Sequence, residues 1–277
     1  MTALADTGVD TLRGHARSVR ELTLRAIHHA QTGHAGSSLS MVELLTYLYF
    51  HHLRIRPEEP RWPDRDRVVL SKGHGAPSYY ATLALRGYLP VAELSTLRRL
   101  GSRLQGHPHA GLLDAVDVST GSLGQGLSIA AGLALGLRHQ GRASRVVCVL
   151  GDGELQEGQN WEAAMTASAF GLDNLVAVVD RNGLQNDGPT ERIVPLGDLA
   201  QKWKAFGFRT LTVDGHEFRQ LHAAFTEPGD GRPTAVVANT VKGRGVSFME
   251  GVTEWHHHPI NDDELVRALA DTGRGLT

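Results

Sequence analysis

Two kinds of hydrophobic pattern alternate along the chain. Short apolar runs predict buried β-strands at residues 68–70, 145–150, 175–180, 209–213 and 234–239. Longer runs with apolar positions three or four residues apart predict helices at residues 11–31, 41–52, 76–86, 91–100, 125–140, 158–170, 197–206, 217–225 and 262–271. Because the two types alternate from residue 68 onward, we expect an α/β fold: a doubly wound, mostly parallel sheet with helices on both faces.

Length and composition fit one such domain. The 277 residues can bury a sizeable core, and no internal repeat or long Pro/Gly-rich linker divides them, so residues 1–277 are expected to form a single domain. The formal net charge of -2 gives no attraction to nucleic acid or to an anionic membrane, and neither is expected as a partner. The uncharged residues 118–137 contain too many Ser, Gln and Gly residues to span a membrane, and no export signal is recognised, which favours a cytoplasmic location.

The carboxyl ends of two predicted strands carry candidate metal ligands. Asp152 follows residues 145–150 within the sequence Gly151-Asp152-Gly153-Glu154, and Asn182 follows residues 175–180. Parallel strands end at the same edge of a sheet, with neighbours about 4.8 Å apart, so both side chains are expected to face one crevice. A carboxylate, an amide oxygen and a loop carbonyl near Leu184 suit Mg²⁺ or Ca²⁺. Phosphate oxygens and water would complete the coordination shell of the ion. The sequence therefore predicts a metal-bound diphosphate.

A glycine-rich segment supports this prediction. Residues 119–126 (STGSLGQG) lead directly into a predicted helix, so freed backbone N–H groups and a helix N-terminus lie together as an anion-binding loop. The glycine order differs from the G-x-G-x-x-G of dinucleotide folds, and tight helix packing would explain the glycines equally well. Together with Asp152 and Asn182, the segment favours a diphosphate held from two sides.

Four histidines stand in loop contexts. His34, His74 and His107 each lie in a glycine-rich turn, and His256 follows Trp255. A metal site at residues 256–258 (HHH) is not expected, because consecutive residues do not share a face. The histidines of the predicted helices are expected to be solvated or to cap helices; these are His28, His29, His51 and His52.

Taken together, these segments resemble the transketolases, in particular the N-terminal subunit of transketolases split into two chains. The matching sequences occur in family order: TGHAG, SKGHG, GHP, STGSLGQG, GDGELQEG, DRNGLQNDG, VDGH and VKGRGVSFMEG, followed by Trp255 and His256. Ser122 stands where single-chain transketolases usually have proline, and serine there resembles the split subunits.

The resemblance implies a role for each matching residue. Asp152, Asn182 and the carbonyl of Leu184 would bind Mg²⁺, with Ca²⁺ or Mn²⁺ as substitutes, and the ion would bridge to thiamine diphosphate. Further contacts to the cofactor would come from His74, Gly121, Ser122, Leu123, Gly153 and His256. The resemblance also implies catalytic residues: His34, His74, His107 and His256 around the donor ketose, and Glu157 at a subunit contact.

The activity that the resemblance implies is transfer of a two-carbon ketol unit from a ketose or ketose phosphate to an aldose. Imidazoles titrating near neutrality would accept and return the protons. The family's pyrimidine-side and C-terminal domains have no counterpart in residues 1–277, so a C-terminal partner subunit is expected to complete an α₂β₂ enzyme. Two alternatives remain open. One is a subunit of a 2-oxo-acid decarboxylase or dehydrogenase, or of a 1-deoxyxylulose-phosphate-synthase-like enzyme; the other is a non-catalytic cofactor-binding subunit.

Overall fold

The computed structural model describes residues 4–273. Its strands are β1 (Arg67–Leu70), β2 (Val146–Gly151), β3 (Leu175–Arg181), β4 (Leu184–Gln185), β5 (Gly188–Pro189), β6 (Arg209–Asp214) and β7 (Thr234–Asn239). Five of them form a parallel sheet in the order β1-β2-β3-β7-β6, whereas β4 and β5 form a separate antiparallel hairpin. All five predicted strands are therefore present, and the hairpin is an addition that the hydrophobic pattern did not indicate.

The helices surround this sheet. They are α1 (Asp6–Ala30), α2 (Ala35–Leu39), α3 (Val42–Tyr47), α4 (Ala76–Arg86), α5 (Gln125–His139), α6 (Gly158–Ala169), α7 (Thr190–Ile193), α8 (Leu199–Ala205), α9 (Phe218–Thr226) and α10 (Asp262–Gly273). A π-helical turn, Leu48–His52, extends α3, and short 3₁₀ turns occur at Gly73–Gly75, Val91–Thr96, Gly153–Gln156 and Thr253–His256. None of the helices within residues 4–273 is long and apolar enough to cross a membrane.

One predicted helix is wrong. Residues 91–100 form only the 3₁₀ turn Val91–Thr96, in which Leu94 is the one buried side chain. A helix here would have little apolar surface to bury, and Arg98 has a positive φ of 60°, which is incompatible with a continuing α-helix.

Both faces of the sheet are covered, which explains why the central strand β2 has no polar side chain and is buried at every position. In β2, Val147 and Val149 pack into the core formed with α1 to α4, α9 and α10. Val146, Cys148 and Leu150 point the other way, into the core formed with α5, α6 and α8. This alternation is the two-residue period of a strand in a sheet buried on both sides. The doubly wound α/β prediction is confirmed.

The chain order explains where a site can form. From β2 through β3 to β6 the connections pass over the face covered by α6 and α8, and the return from β6 to β7 runs through α9 on the opposite face. Right-handed crossovers require this change of face when the direction of winding reverses. The loops after β1, β2, β3 and β7 consequently meet at one edge of the sheet, the edge at which ligands bind in open α/β sheets.

Candidate active site

A cavity of about 390 Å³ opens at the carboxyl edge of the sheet, between the loops that follow β1, β2 and β3. Every residue predicted from the sequence to belong to the site lines it except Ser122. These residues are His34, His74, His107, Gly121, Leu123, Asp152, Gly153, Glu157, Asn182, Leu184 and His256. Ser122 is exposed beside the cavity. The structure therefore brings together residues from almost the whole length of the chain, from His34 to His256.

The three candidate metal ligands belong to two loops joined by hydrogen bonds. Asp152 accepts hydrogen bonds from the N–H groups of Gly153 (2.8 Å) and Gly183 (2.6 Å). Asn182 Oδ1 accepts one from the Leu184 N–H at 3.1 Å. The Leu184 carbonyl accepts a hydrogen bond from the Lys242 ammonium at 3.1 Å. These hydrogen bonds thus hold the carboxylate, the amide and the carbonyl close together at the carboxyl ends of β2 and β3.

Electrostatics near Asp152 favour a bound cation. Lys72 after β1 and Asp180 in β3 form a fully buried ion pair. Burial alone would raise the pKa of Asp180, but Lys72 holds it below its usual value. Burial and the neighbouring Asp180 charge together raise the pKa of Asp152 to about 6. A divalent cation would stabilise the ionised carboxylate of Asp152 against both its burial and the charge of Asp180. This set of oxygen donors therefore fits a divalent cation.

The glycine-rich loop lies against the same edge. Its backbone approaches the turn that carries His74 so closely that a Cβ on Gly73 would lie 2.8 Å from the Gly121 nitrogen. Gly121 has a φ of 140°, and a Cβ there would lie 3.0 Å from the His107 ring. The Thr120 hydroxyl is buried and has no hydrogen-bond partner within the described residues.

The sequence analysis missed Glu154, which holds this loop in place. Its buried carboxylate accepts hydrogen bonds from the N–H groups of Gly124 (2.9 Å) and Gly151 (3.0 Å) and from the Ser71 hydroxyl. Glu154 thereby ties the glycine-rich loop to the ends of β1 and β2. The sequence did contain one signal for this role. Glu154 follows a wholly apolar strand by about one turn, and a carboxylate in a region from which water is excluded needs hydrogen-bond donors from the protein.

Three of the loop histidines form a cluster. The ring centroids of His34, His74 and His256 are 5.2 to 5.4 Å apart. His257 also approaches His34, at 4.7 Å, but His258 packs on Trp255 instead, so the three consecutive histidines do not share one site. Among residues 4–273 no three His, Cys, Asp or Glu side chains converge as a metal site, so a cation beside Asp152 depends on amide and carbonyl oxygens as well.

These histidines are neutral, which corrects the expectation that they titrate near neutrality. Burial, followed by the neighbouring His256 and His257, lowers the pKa of His34 to about 3. Burial and Lys242 lower the pKa of His256 to about 4, and burial also lowers the pKa values of His74 and His107. At pH 7 each ring therefore offers one N–H donor and one lone pair.

Lys242 was not assigned from the sequence, yet its ammonium contacts two residues that line the site, Leu184 and His256. Its ammonium is fully buried and lies 2.7 Å from His256 Nδ1. An ammonium can only donate, so Nδ1 is the acceptor and neutral His256 carries its proton on Nε2. His256 consequently presents an N–H donor from Nε2.

Two other expectations concern residues away from the cluster. Glu157 is exposed at the rim of the cavity, and its predicted role at a subunit contact stays a prediction. His52 was expected to be solvated, and this is wrong. His52 Nε2 lies 2.8 Å from Arg145 Nη1, and burial, followed by Arg145, lowers its pKa to about 3.

Comparison with known proteins identifies the family. Residues 13–274 match the family model described as "Transketolase, thiamine diphosphate binding domain". The chain is 43% identical over 262 residues to the 6-deoxy-6-sulfo-D-fructose transketolase subunit SqwG of a Clostridium species, covering 94% of this chain and 95% of that one. It is 40% identical over 264 residues to a subunit of the apulose-4-phosphate transketolase of Actinobacillus succinogenes, covering 95% and 96%.

Single-chain transketolases match over a smaller part of their length. Human transketolase is 42% identical over 253 residues, which are 91% of this chain and 40% of the human protein. The crystal structure of transketolase from Campylobacter jejuni superposes with a TM-score of 0.89 at 29% identity, covering 95% of this chain and 43% of that one. The structure of transketolase from Leishmania mexicana gives a TM-score of 0.90 at 30% identity, covering 95% and 41%. The sequence-based assignment is thereby confirmed, and the chain belongs to the transketolase family as the counterpart of its N-terminal, thiamine-diphosphate-binding subunit.

Proposed function

We propose that this chain, with a partner subunit, transfers a two-carbon ketol unit from a ketose or ketose phosphate to an aldose. The observation that carries the proposal is the meeting of three features in one cavity: the oxygens around Asp152, the glycine-rich loop and the neutral histidine cluster. A cation and a diphosphate occupy the first two features in this proposal, and the sugar donor lies against the third.

The residues of the chain fit Mg²⁺ and thiamine diphosphate. Asp152, Asn182 and the Leu184 carbonyl would hold the ion, and the backbone around Gly121 and Leu123 at the start of α5 would hold the diphosphate. The support is the raised pKa of Asp152, whose charge a bound cation would offset, and the positive φ of Gly121 where the loop lines the cavity. Ca²⁺ and Mn²⁺ share the preference for oxygen ligands and are suitable substitutes. Thiamine diphosphate, when bound, supplies the carbon nucleophile and the electron sink for the transfer.

The histidines would bind and orient the donor sugar. His256 donates from Nε2 to a sugar oxygen, because Nδ1 already accepts from Lys242. His34, neutral at pH 7, has a lone pair that can accept the hydroxyl proton released when the sugar's carbon–carbon bond breaks. A charged lysine or arginine in its place would have no lone pair for this step.

The partner subunit would cover the open side of the site. Leu123 is 38% exposed and Glu157 is exposed, and both lie at the rim of the cavity. Relatives that match over nearly their whole length are named as subunits of transketolases. The partner in this proposal is a C-terminal transketolase chain, and the assembly is α₂β₂.

Calorimetry tests the cofactor site. Titration of thiamine diphosphate into the assembled subunits is expected to give heat of binding only when Mg²⁺ is present. Asp152→Ala is expected to abolish this binding, because the buried site then has no anionic ligand for the ion. Asp187→Ala is the matched control, since Asp187 is an exposed carboxylate on the turn between β4 and β5. Binding that is independent of Mg²⁺, or that survives in Asp152→Ala, would refute the proposal.

A further inference from the structure

A buried network of charged side chains lies outside the candidate active site. Arg20 of α1 and Glu43 of α3 form an ion pair whose side chains are 3% and 4% exposed. His216, which precedes α9, places Nδ1 2.9 Å from the second carboxylate oxygen of Glu43. Burial alone would raise the pKa of Glu43, but Arg20 and His216 lower it to about 2, so the carboxylate is charged. In the sequence alone, the residues around His216 have the pattern of an ordinary turn.

This Arg20–Glu43–His216 network holds the loop after β7 at two points. The Val241 N–H donates to His216 Nε2 at 2.8 Å, and Arg20 Nε donates to the Arg244 carbonyl at 2.9 Å. Because Nε2 accepts, neutral His216 carries its proton on Nδ1 and donates it to Glu43. The two held backbone groups lie immediately on either side of Lys242 and Gly243.

Close packing at two glycines also restricts the loop. A Cβ on Gly245, whose φ is 88°, would lie 2.5 Å from Arg20 Nε. A Cβ on Gly243, whose φ is 79°, would lie 2.5 Å from the Met249 carbonyl carbon. The Gly243 N–H also donates to the Gly36 carbonyl at 2.9 Å. The Lys242 side chain leaves this fixed backbone and reaches His256 Nδ1.

Stability alone does not explain a buried charged network at this place. Replacement of a buried ion pair by well-packed apolar residues is often neutral or stabilising. The network does, however, provide directional hydrogen bonds to two backbone groups, which apolar packing cannot provide.

We propose that Arg20, Glu43 and His216 are positioning residues that fix Lys242 so that its ammonium selects the Nε2–H form of His256. The catalytic meaning of this arrangement rests on the proposed function, in which His256 donates that proton to the sugar. The arrangement itself concerns only groups of this chain.

The test replaces His216 and observes His256. His216→Phe removes both hydrogen bonds, and the adjacent cavity of about 740 Å³, which Arg20, Glu43 and His216 line, has room for the ring. Nitrogen NMR of the full chain with labelled histidine reports whether His256 Nδ1 accepts a hydrogen bond. In His216→Phe the Nδ1 resonance is expected to move to its position in Lys242→Met, where the donor is absent. A folded His216→Phe chain with an unchanged His256 spectrum would overturn the proposal.

A milder variant and a control complete the experiment. If His216→Phe does not fold, Glu43→Gln takes its place. The glutamine keeps the side-chain volume, but in either orientation of its amide it loses one of the two hydrogen bonds that Glu43 accepts from Arg20 and His216. The His256 Nδ1 resonance is then expected to move in the same direction by a smaller amount. Asp66→Asn is the control, because Asp66 is a fully buried carboxylate paired with Arg145 at the opposite edge of the sheet. It is expected to lower stability without moving the His256 resonance, and an equal shift in this control would contradict positioning. The spectrum needs neither cofactor nor partner, so its outcome is independent of whether the proposed function holds.

Discussion

At the scale of single residues, one physical cause shifts the pKa values of neighbouring groups of the site in opposite directions. Burial disfavours the charged form of every titratable side chain, so His34 and His256 are neutral and the pKa of Asp152 is raised. Asp180 is equally buried but stays ionised because Lys72 contacts it directly. The site therefore combines a fixed ion pair with an uncompensated carboxylate, an arrangement that suits a cation.

A first prediction at this scale concerns His34. His34→Ala is expected to lower the turnover number of the assembled enzyme about 10²-fold or more, the range typical of a lost acid–base group. Binding of thiamine diphosphate is expected to change little, because His34 contacts none of the candidate metal ligands by hydrogen bond or ion pair among residues 4–273. Steady-state kinetics and calorimetry on the same preparation measure the two effects.

His257→Ala provides the comparison for that experiment. The His257 ring lies 4.7 Å from His34 but is exposed, so its removal disturbs the same neighbourhood without removing the proposed group. Turnover in His257→Ala is expected to stay within a few-fold of wild type. Unchanged turnover in His34→Ala would exclude the proposed role of His34.

A second prediction concerns acid stability and His52. The folded pKa of His52 is lowered to about 3 from 6.5, so its neutral form stabilises the fold fully above pH 6.5, and this contribution is lost as the pH falls from 6.5 toward 3. The loss amounts to about 2 kcal/mol at pH 5, since one pKa unit corresponds to about 1.4 kcal/mol. His52→Gln keeps an acceptor for Arg145 but does not titrate. Its free energy of unfolding, measured with urea at pH 7 and pH 5, is expected to fall less than that of wild type.

The matched control for acid stability is His139→Gln, which alters an exposed histidine in the last turn of α5. The loss of stability between pH 7 and pH 5 is expected to be the same in His139→Gln as in wild type. If His52→Gln lost as much as wild type, the buried neutral state of His52 would be wrong.

Residues of the site differ in how far the sequence predicts them. Asp152 and Asn182 are predictable because each directly follows a strand, and parallel strands end at one edge. Lys242 is not, because the loop that carries it is held by contacts such as that between Arg20 and Arg244, which are 224 positions apart. A single sequence carries no local signal of such pairs. The pKa values of the histidines were missed for the same reason, since burial is a property of the assembled fold.

At the scale of elements, the sequence left two explanations for the glycine-rich loop, and the structure shows where each applies. Gly121 has a positive φ and lines the cavity, as an anion-binding loop requires. Gly126, in the first turn of α5, instead permits close packing, because a Cβ there would overlap the Ser71 side chain and lie 2.8 Å from its Cα. Apolar strands were predictable from length and pattern, whereas these contacts between a helix and a strand end were not.

The prediction for α5 follows from this difference. Gly126→Ala is expected to destabilise the fold by about 1 to 3 kcal/mol, because α5 must move away from the end of β1. In Gly132→Ala, in the same helix, the new Cβ would meet no atom of residues 4–273 within 4 Å beyond its chain neighbours and the helix's own backbone. This substitution is expected to stabilise the fold by about 0.5 to 1 kcal/mol through better helix propensity. Urea unfolding measures both. Equal effects of the two substitutions would show that close packing at Gly126 is unimportant.

At the scale of the whole molecule, the sheet order concentrates chemistry at one edge. Four strand ends carry Lys72, Asp152, Asn182 and Lys242, and the cavity between them remains open beside Leu123 and Glu157. The edge at the start of the strands carries a structural ion pair, between Asp66 and Arg145, instead. The region that matches this chain is only about 40% of the length of single-chain transketolases. The open side of the cavity is therefore where we expect a second chain to bind.

This expectation leads to the last prediction, that the chain acts only in an assembly. The purified chain is expected to show no ketol transfer in a coupled assay, because a site open to water neither positions the sugar nor excludes solvent. Addition of the C-terminal subunit is expected to restore turnover, and analytical ultracentrifugation of the mixture is expected to show an α₂β₂ complex. Replacement of the rim residue Leu123 by Asp should weaken assembly, whereas Ile129→Asp, which alters an α5 side chain outside this cavity that is also 38% exposed, should not. Turnover of several per second by the isolated chain, a typical enzyme rate, would show that the cavity is sufficient without a partner.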